Sequence, residues 1–415
     1  MSYPRVVMLG VLLGCVHCGF IGCASTPLLQ SPVASGPNYA RPLPPGLSAL
    51  RLVTDPARLP DLAGAFRSTD PGLGKAFDES LVWFAAPSSR RHYPFEGITH
   101  EQALAGLLAM RDLVTGVRSP EQFRDAVLQR FDIYESVGYD GSGTVLFTGY
   151  YSPVFRARRA PTGEFMYPLY MRPQDLATDP ESGAPLGRRL ADGTTAPYAT
   201  RRQIEESGML AGGELVWLAD PLDVYMIHVN GSAKLRLGQT FKDDDAEVMY
   251  VGYAGKTDRP YTGLGRSMVE EGLVAADEIN MTAVTREYRR DPQRVIDLMY
   301  RNESYVFFTE YDESAWPAGS LGVTVTAKRS LATDKKIYPR GGPVLVDTSS
   351  ISFAEESRPF LQLMLDQDTG GAIQAPGRAD IFMGIGPGAE ILAGGQFAEG
   401  RLYYFVLKPE YVDRY

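Results

Sequence analysis

Short β-prone runs recur through most of this chain, at residues 144–148, 165–171, 214–218, 247–253, 305–308, 323–327, 344–346 and 402–407. Runs this brief bury little alone, so the chain must assemble them into closed or packed sheets. Tyr225-Met226-Ile227-His228-Val229, then Asn230-Gly231, then Ser232 to Leu237 is the strongest hairpin signal, because Asn-Gly accepts the positive φ angles of a type I′ turn. Helix signals lie outside these runs. Thr99-His100-Glu101-Gln102 and Ser119-Pro120-Glu121-Gln122 both match the capping box, and the second opens a helix with Phe123, Val127 and Phe131 along one face. Asp291-Pro292 opens another, with Val295, Leu298 and Met299 as its apolar stripe. The pattern predicts a mainly β fold of barrels with a few peripheral helices, and it leaves open whether one barrel is inserted into the other.

A chain of 415 residues exceeds one ordinary domain, and two is the expectation. With 44% hydrophobic and 22% charged residues it can fill a core. Its net charge of −9, with no long basic run, excludes the clustered Lys and Arg that grip phosphate backbones, so nucleic acid is not an expected partner. The four histidines, His17, His92, His100 and His228, are scattered and lack the short spacing of zinc sites. Neither a metal nor another cofactor is expected.

All three cysteines, Cys15, Cys18 and Cys23, fall in the first 23 residues, within or just after an apolar stretch that follows Arg5. One positive charge and an apolar run too short to span a bilayer comfortably read as a signal peptide. Phe20-Ile21-Gly22-Cys23 resembles a bacterial lipobox, with Cys23 as the lipidated residue, and Leu12-Leu13-Gly14-Cys15 is a second candidate. Polar Ala24-Ser25-Thr26-Pro27 after Cys23 favours the former, and Ala rather than Asp after the cysteine points to the outer membrane. Residues 24–45, rich in Pro, Ser, Gly and Ala, read as a flexible tether outside the fold.

The densest chemistry is near the C-terminus. Asp366-Gln367-Asp368-Thr369-Gly370-Gly371-Ala372-Ile373 leads to Pro376-Gly377-Arg378-Ala379-Asp380-Ile381-Phe382-Met383-Gly384. Two carboxylates bracket a glycine-rich loop whose missing Cβ atoms suit the wall of a binding groove. Asp380 sits among Ala379, Ile381 and Phe382, where partial desolvation raises a carboxyl pKa and prepares a general acid. Asp and Gly are also ordinary turn residues, and composition alone leaves a plain turn equally open.

Asp-Thr-Gly-Gly-Ala-Ile, a spacer, then Arg-x-Asp-x-Phe-x-Gly resembles the "3D" motif of the membrane-bound lytic murein transglycosylase A family. Phe147-Thr148-Gly149-Tyr150-Tyr151-Ser152-Pro153 resembles that family's Thr-Gly-Tyr-Tyr segment. Tyr253-Ala254-Gly255-Lys256 with Tyr261-Thr262-Gly263-Leu264-Gly265-Arg266 resembles a further block, so the likeness runs from about residue 80 to 408. The spacer Gln374-Ala375-Pro376-Gly377 is one residue longer than the family's pattern, and Ala379 replaces a larger residue. The resemblance implies a double-psi β-barrel over residues 46–152 and 304–415, a second β-barrel over 153–303, and a glycan in the groove between them. It implies Asp380 as catalytic acid/base with Asp368 beside it, and Thr148, Tyr151, Lys256 and Tyr261 as substrate contacts. It further implies cleavage of the β-1,4 bond between N-acetylmuramic acid and N-acetylglucosamine in peptidoglycan, forming a 1,6-anhydro end. The enzyme would work at the periplasmic face of the outer membrane, held there by its lipid.

Three rivals remain in the residues. A hydrolase would use Asp368 and Asp380 as a carboxylate pair. A non-catalytic glycan-binding wall protein would need neither as an acid. Asp347-Thr348-Ser349 and Asp368-Thr369-Gly370 also look like an aspartic-peptidase signature, although 20 residues leave no room for two lobes.

Overall fold

The computed structural model describes residues 37–180, 183–238, 246–275, 278–353 and 356–415. The expected signal peptide and lipobox, with Cys15 and Cys23, lie outside them. Among the described residues there are ten α-helices and seventeen strands, and no helix is long and apolar enough to cross a membrane.

Six strands close on themselves. Phe397–Leu407 pairs with Pro343–Ile351, then follow Ser357–Asp368, Ser330–Ala332, Arg378–Ile385 and Val145–Ser152, and the last returns to pair with Phe397–Leu407. Phe397–Leu407 is long enough to serve two partners on one edge. Its first residues pair with Val145–Thr148 and its last with strand Phe131–Ser136, which strand Leu50–Leu52 extends. Alternation then divides the side chains. Val145, Phe147, Ala379, Ile381, Leu402 and Tyr404 are among those that fill the interior, and helix Pro387–Gly395 adds Ala389, Leu392 and Ala393. Helices Leu62–Arg67, Pro71–Ala85, His100–Gly116 and Pro120–Arg130 cover outward residues such as Leu345, Leu363, Phe405 and Leu407.

Residues 154–311 form a second ring. A sheet of Val306–Tyr311, Val248–Lys256, Ser232–Arg236 and Val154–Arg156 is joined to the pair Tyr167–Tyr170 and Glu214–Leu218 by single bridges, Arg158 to Trp217 and Met171 to Phe308. Leu169, Val216, Leu235, Val251 and Phe308 pack inside it.

Several expectations are corrected. The hairpin at 225–237 is instead helix Pro221–Asn230 followed by strand Ser232–Arg236. Asp220 caps that helix through Leu222 N, and its turns are apolar on two sides: Val224 and Ile227 enter one core, Leu222, Tyr225 and Met226 another. Gly231 does take a positive φ, +74°, but as the helix C-cap that donates to Ile227 O. Residues 323–327 form no strand beyond a single bridge at Thr324, because Thr324 N turns to Glu79 and Thr326 N to Ser330. The two sequence capping boxes are half formed. Thr99 and Ser119 accept from their Gln backbone N–H groups, but Gln102 reaches Leu407 O and Gln122 reaches Arg118 N. The reciprocal box is at Thr200 and Gln203. Finally, the tether does not run free to residue 45: Leu43 packs on the barrel core, and the Tyr39 hydroxyl donates to Glu399 at 2.7 Å.

Candidate active site

Four residues stand in one row across the outer wall of the first ring. Asp368 pairs with Ala332, Ala332 with Asp380, and Asp380 with Thr148, each on the next strand, ~4.8 Å away. Ala332, with the smallest side chain of the four, separates the two aspartates. The odd-numbered neighbours of Asp380 and Thr148 point into the core, so these two face the other way, towards the second ring.

The Thr148 hydroxyl donates to Oδ1 of Asp380 at 2.5 Å, and Arg378 Nη2 donates to Thr148 Oγ1 at 3.0 Å. Burial pushes the Asp380 carboxyl up to about 6; Thr148 and Arg378 pull against this, and the charge of Asp368 adds to it. Asp368 is differently held. Its Oδ2 accepts from Tyr150 Oη at 2.7 Å, and its Oδ1 from the backbone N–H of Ser320 at 2.7 Å and of Thr369 at 2.8 Å. Burial raises its pKa too, but these three donors and the Lys335 ammonium favour the ionised form. The pair is therefore asymmetric: one donor reaches Asp380 and three reach Asp368, so Asp368 is the better held as a carboxylate.

Gly149, between Thr148 and Tyr150, has no room for a side chain, since a Cβ there would lie 2.9 Å from Ala393 Cα in helix Pro387–Gly395. That contact seats the strand carrying Thr148 against the helix that follows the strand carrying Asp380.

Two residues of the second ring lie near this row. Lys256 ends strand Val248–Lys256, and its ammonium comes within 3.6 Å of where a Gly371 Cβ would stand. Burial, and then Lys336, lower its pKa. The phenol of Tyr261 is shielded enough to stay protonated, and the nearby charge of Asp380 adds to that effect.

Asp380, Asp368 and Thr148 thus stand together, with Lys256 and Tyr261 beside them. Tyr151 does not join them. It is 4% exposed, in the barrel core, and the neighbouring Tyr150 reaches the site instead. The strand period of two, counted from Thr148, is the sequence signal that selects Tyr150. Ser320 carries no such signal, because it contributes a backbone N–H from a loop. Asp347 pairs with Leu361, seven residues up the strand from Asp368 and so ~23 Å away. A peptidase dyad is thereby excluded.

Comparison with known proteins agrees with this architecture. The MltA specific insert domain matches residues 146–309, and the 3D domain matches residues 329–406. The membrane-bound lytic murein transglycosylase A of Vibrio cholerae is 30% identical over 284 residues, covering 67% of this chain and 70% of the relative. The chain belongs to the membrane-bound lytic murein transglycosylase A family. The Escherichia coli K12 member is 28% identical over 285 residues, with 67% and 70% coverage. Among solved structures, the family member from Agrobacterium tumefaciens aligns with a TM-score of 0.67 at 25% identity, covering 86% of this chain and 98% of that one. E. coli MltA with bound chitohexaose aligns at 0.65 and 25% identity, covering 89% and 96%.

Proposed function

We propose that this member of the family is a lytic transglycosylase that cleaves the β-1,4 bond between N-acetylmuramic acid and N-acetylglucosamine in peptidoglycan, with Asp380 as its single acid/base. The observation that carries the reading is the asymmetry of the two aspartates. Thr148 occupies Oδ1 of Asp380, so a proton held at a pKa of about 6 resides on Oδ2. Oδ2–H protonates the glycosidic oxygen as the bond to C1 breaks. The C6 hydroxyl oxygen of the same muramic residue closes on C1, its proton passes to the Asp380 carboxylate, and a 1,6-anhydro end results. No water enters. Asp368, with both oxygens engaged, is suited to hold negative charge opposite the developing positive charge at C1 rather than to activate water.

In this reading the first ring is a double-psi β-barrel of residues 46–152 and 304–415, and the second an inserted domain of residues 153–303. The chitohexaose bound by the E. coli relative supports a glycan in the groove between them, with Lys256 and Tyr261 as contacts. The relatives' membrane-bound description supports attachment through a lipid at Cys23, at the periplasmic face of the outer membrane. Mass spectrometry of material released from purified sacculi tests the chemistry. Anhydro-muropeptides are expected, lighter by one water than hydrolytic products. Reducing ends would instead indicate a hydrolase, and no release a binding protein. Asp380→Asn is expected to abolish release while retaining glycan binding.

A further inference from the structure

The row through Asp368, Ala332, Asp380 and Thr148 has a fifth member. Thr148 pairs on its far side with Phe397, the first residue of strand Phe397–Leu407. We propose that Phe397 is a stacking platform for a saccharide ring of the bound glycan, on the side of Thr148 away from Asp368. Exposure alone would carry nothing, because single apolar side chains are common on protein surfaces. Position is what carries it.

Residues directly opposed in an antiparallel pair project to the same face, with Cβ atoms ~4.5–5.5 Å apart. The Phe397 ring therefore stands on the catalytic face beside Thr148, two strand spacings or ~10 Å from the Asp380 backbone. It is 68% exposed, and among the described residues no other ring stacks on it. Its backbone is fixed. The buried Gln396 donates through Nε2 to Phe147 O at 3.4 Å and Ser349 O at 3.0 Å, and Phe397 itself pairs with Thr148. Two residues on, Glu399 shares the face, with one carboxylate oxygen held by the Tyr39 hydroxyl at 2.7 Å. A pyranose presents C–H bonds on its faces and hydroxyls at its rim, so an aromatic ring beside a fixed acceptor matches it.

The inference rests on the glycan reading of the same groove. The test is calorimetric titration of the wild type, Phe397→Ala and Phe397→Tyr with chitohexaose, alongside steady-state kinetics on soluble glycan strands. The alanine variant is expected to bind roughly tenfold more weakly, a difference of ~1.4 kcal/mol. Its kinetic loss should fall on KM more than on kcat. Phe397→Tyr keeps the ring and should bind nearly as the wild type does, and the melting temperatures of all three should agree, since the ring supports little packing. An alanine variant that binds as tightly as the wild type overturns the platform while leaving the glycan reading intact. A wild type that neither binds chitohexaose nor releases fragments from sacculi overturns both.

Discussion

Thr148 and Asp380 face each other at one register position of two parallel strands, and the threonine hydroxyl donates to a single carboxyl oxygen at 2.5 Å. A donor aimed at a carboxyl oxygen stabilises the ionised form and, by occupying one oxygen, assigns the proton to the other. Thr148 thus opposes the burial that lifts Asp380 to about 6, and also orients its acidic edge.

Replacing Thr148 by Val removes the donor and keeps the volume. The Asp380 pKa is expected to rise further, moving the alkaline limb of the kcat/KM profile to higher pH. Misorientation should cost roughly 10–100-fold in kcat, within the span of general-acid contributions. Thr148→Ser should restore both. A Val variant whose pH profile matches the wild type would show that the contact has no bearing on the acid.

With protonated Asp380 as the proposed acid, kcat/KM should fall above about pH 6, approaching tenfold per pH unit. Stability follows the same proton. With its pKa raised from 3.8 to about 6, the folded chain binds more protons than the unfolded chain between those values, so stability declines as pH rises through that window. The penalty is absent at acid pH and complete above about 6, on the order of 1–3 kcal/mol for a partly shielded carboxyl. Asp380→Asn removes it. The variant should therefore melt a few degrees above the wild type at pH 7 and level with it at pH 4, which differential scanning calorimetry will read.

Much of this site is legible in the sequence. Asp368, Asp380 and the glycines between them are local, and the strand ending at Asp368, the loop and the strand bearing Asp380 follow one another along the chain. What joins them to Thr148, Ala332 and Phe397 is register between distant strands. No window of sequence contains it, because pairing is decided by which alternate face each strand buries. Residues 225–229 fail for another reason. Their β-branched and aromatic composition suits a strand, but Asp220 and Gly231 supply a cap at either end, and apolar residues all round let a helix fill two cores at once. Tertiary packing outweighs the turn signal of Asn230-Gly231, although the positive φ that signal implies is realised.

Tyr150 and Tyr151 are adjacent and should fail differently when changed. Tyr150→Phe removes one of the three donors on Asp368 while keeping the ring beside Phe382. Activity is expected to fall roughly tenfold, as for a lost hydrogen bond to a charged group, with melting temperature nearly unchanged. Tyr151→Ala empties a core position and should cost ~3–5 kcal/mol by denaturant unfolding. If Tyr150→Phe retained full activity, the phenol's contact with Asp368 would have no part in the reaction.

Two residues before Asp368, Asp366 is fully buried, paired with Lys335 and bonded to Thr333 Oγ1 and, at 2.8 Å, to Tyr404 Oη. Each partner is tolerable only while the other is charged. Lys335→Met leaves a buried carboxylate facing two neutral donors and should destabilise by ~3–5 kcal/mol. Lys335→Met combined with Asp366→Leu removes both charges and should recover a good part of that, with the Thr333 and Tyr404 hydroxyls left without their carboxylate acceptor as the residual cost. Because Lys335 also helps keep Asp368 ionised, the double variant separates two roles. If stability returns while activity stays low, the pair acts on the site through its field. If both return together, its contribution is confined to the core.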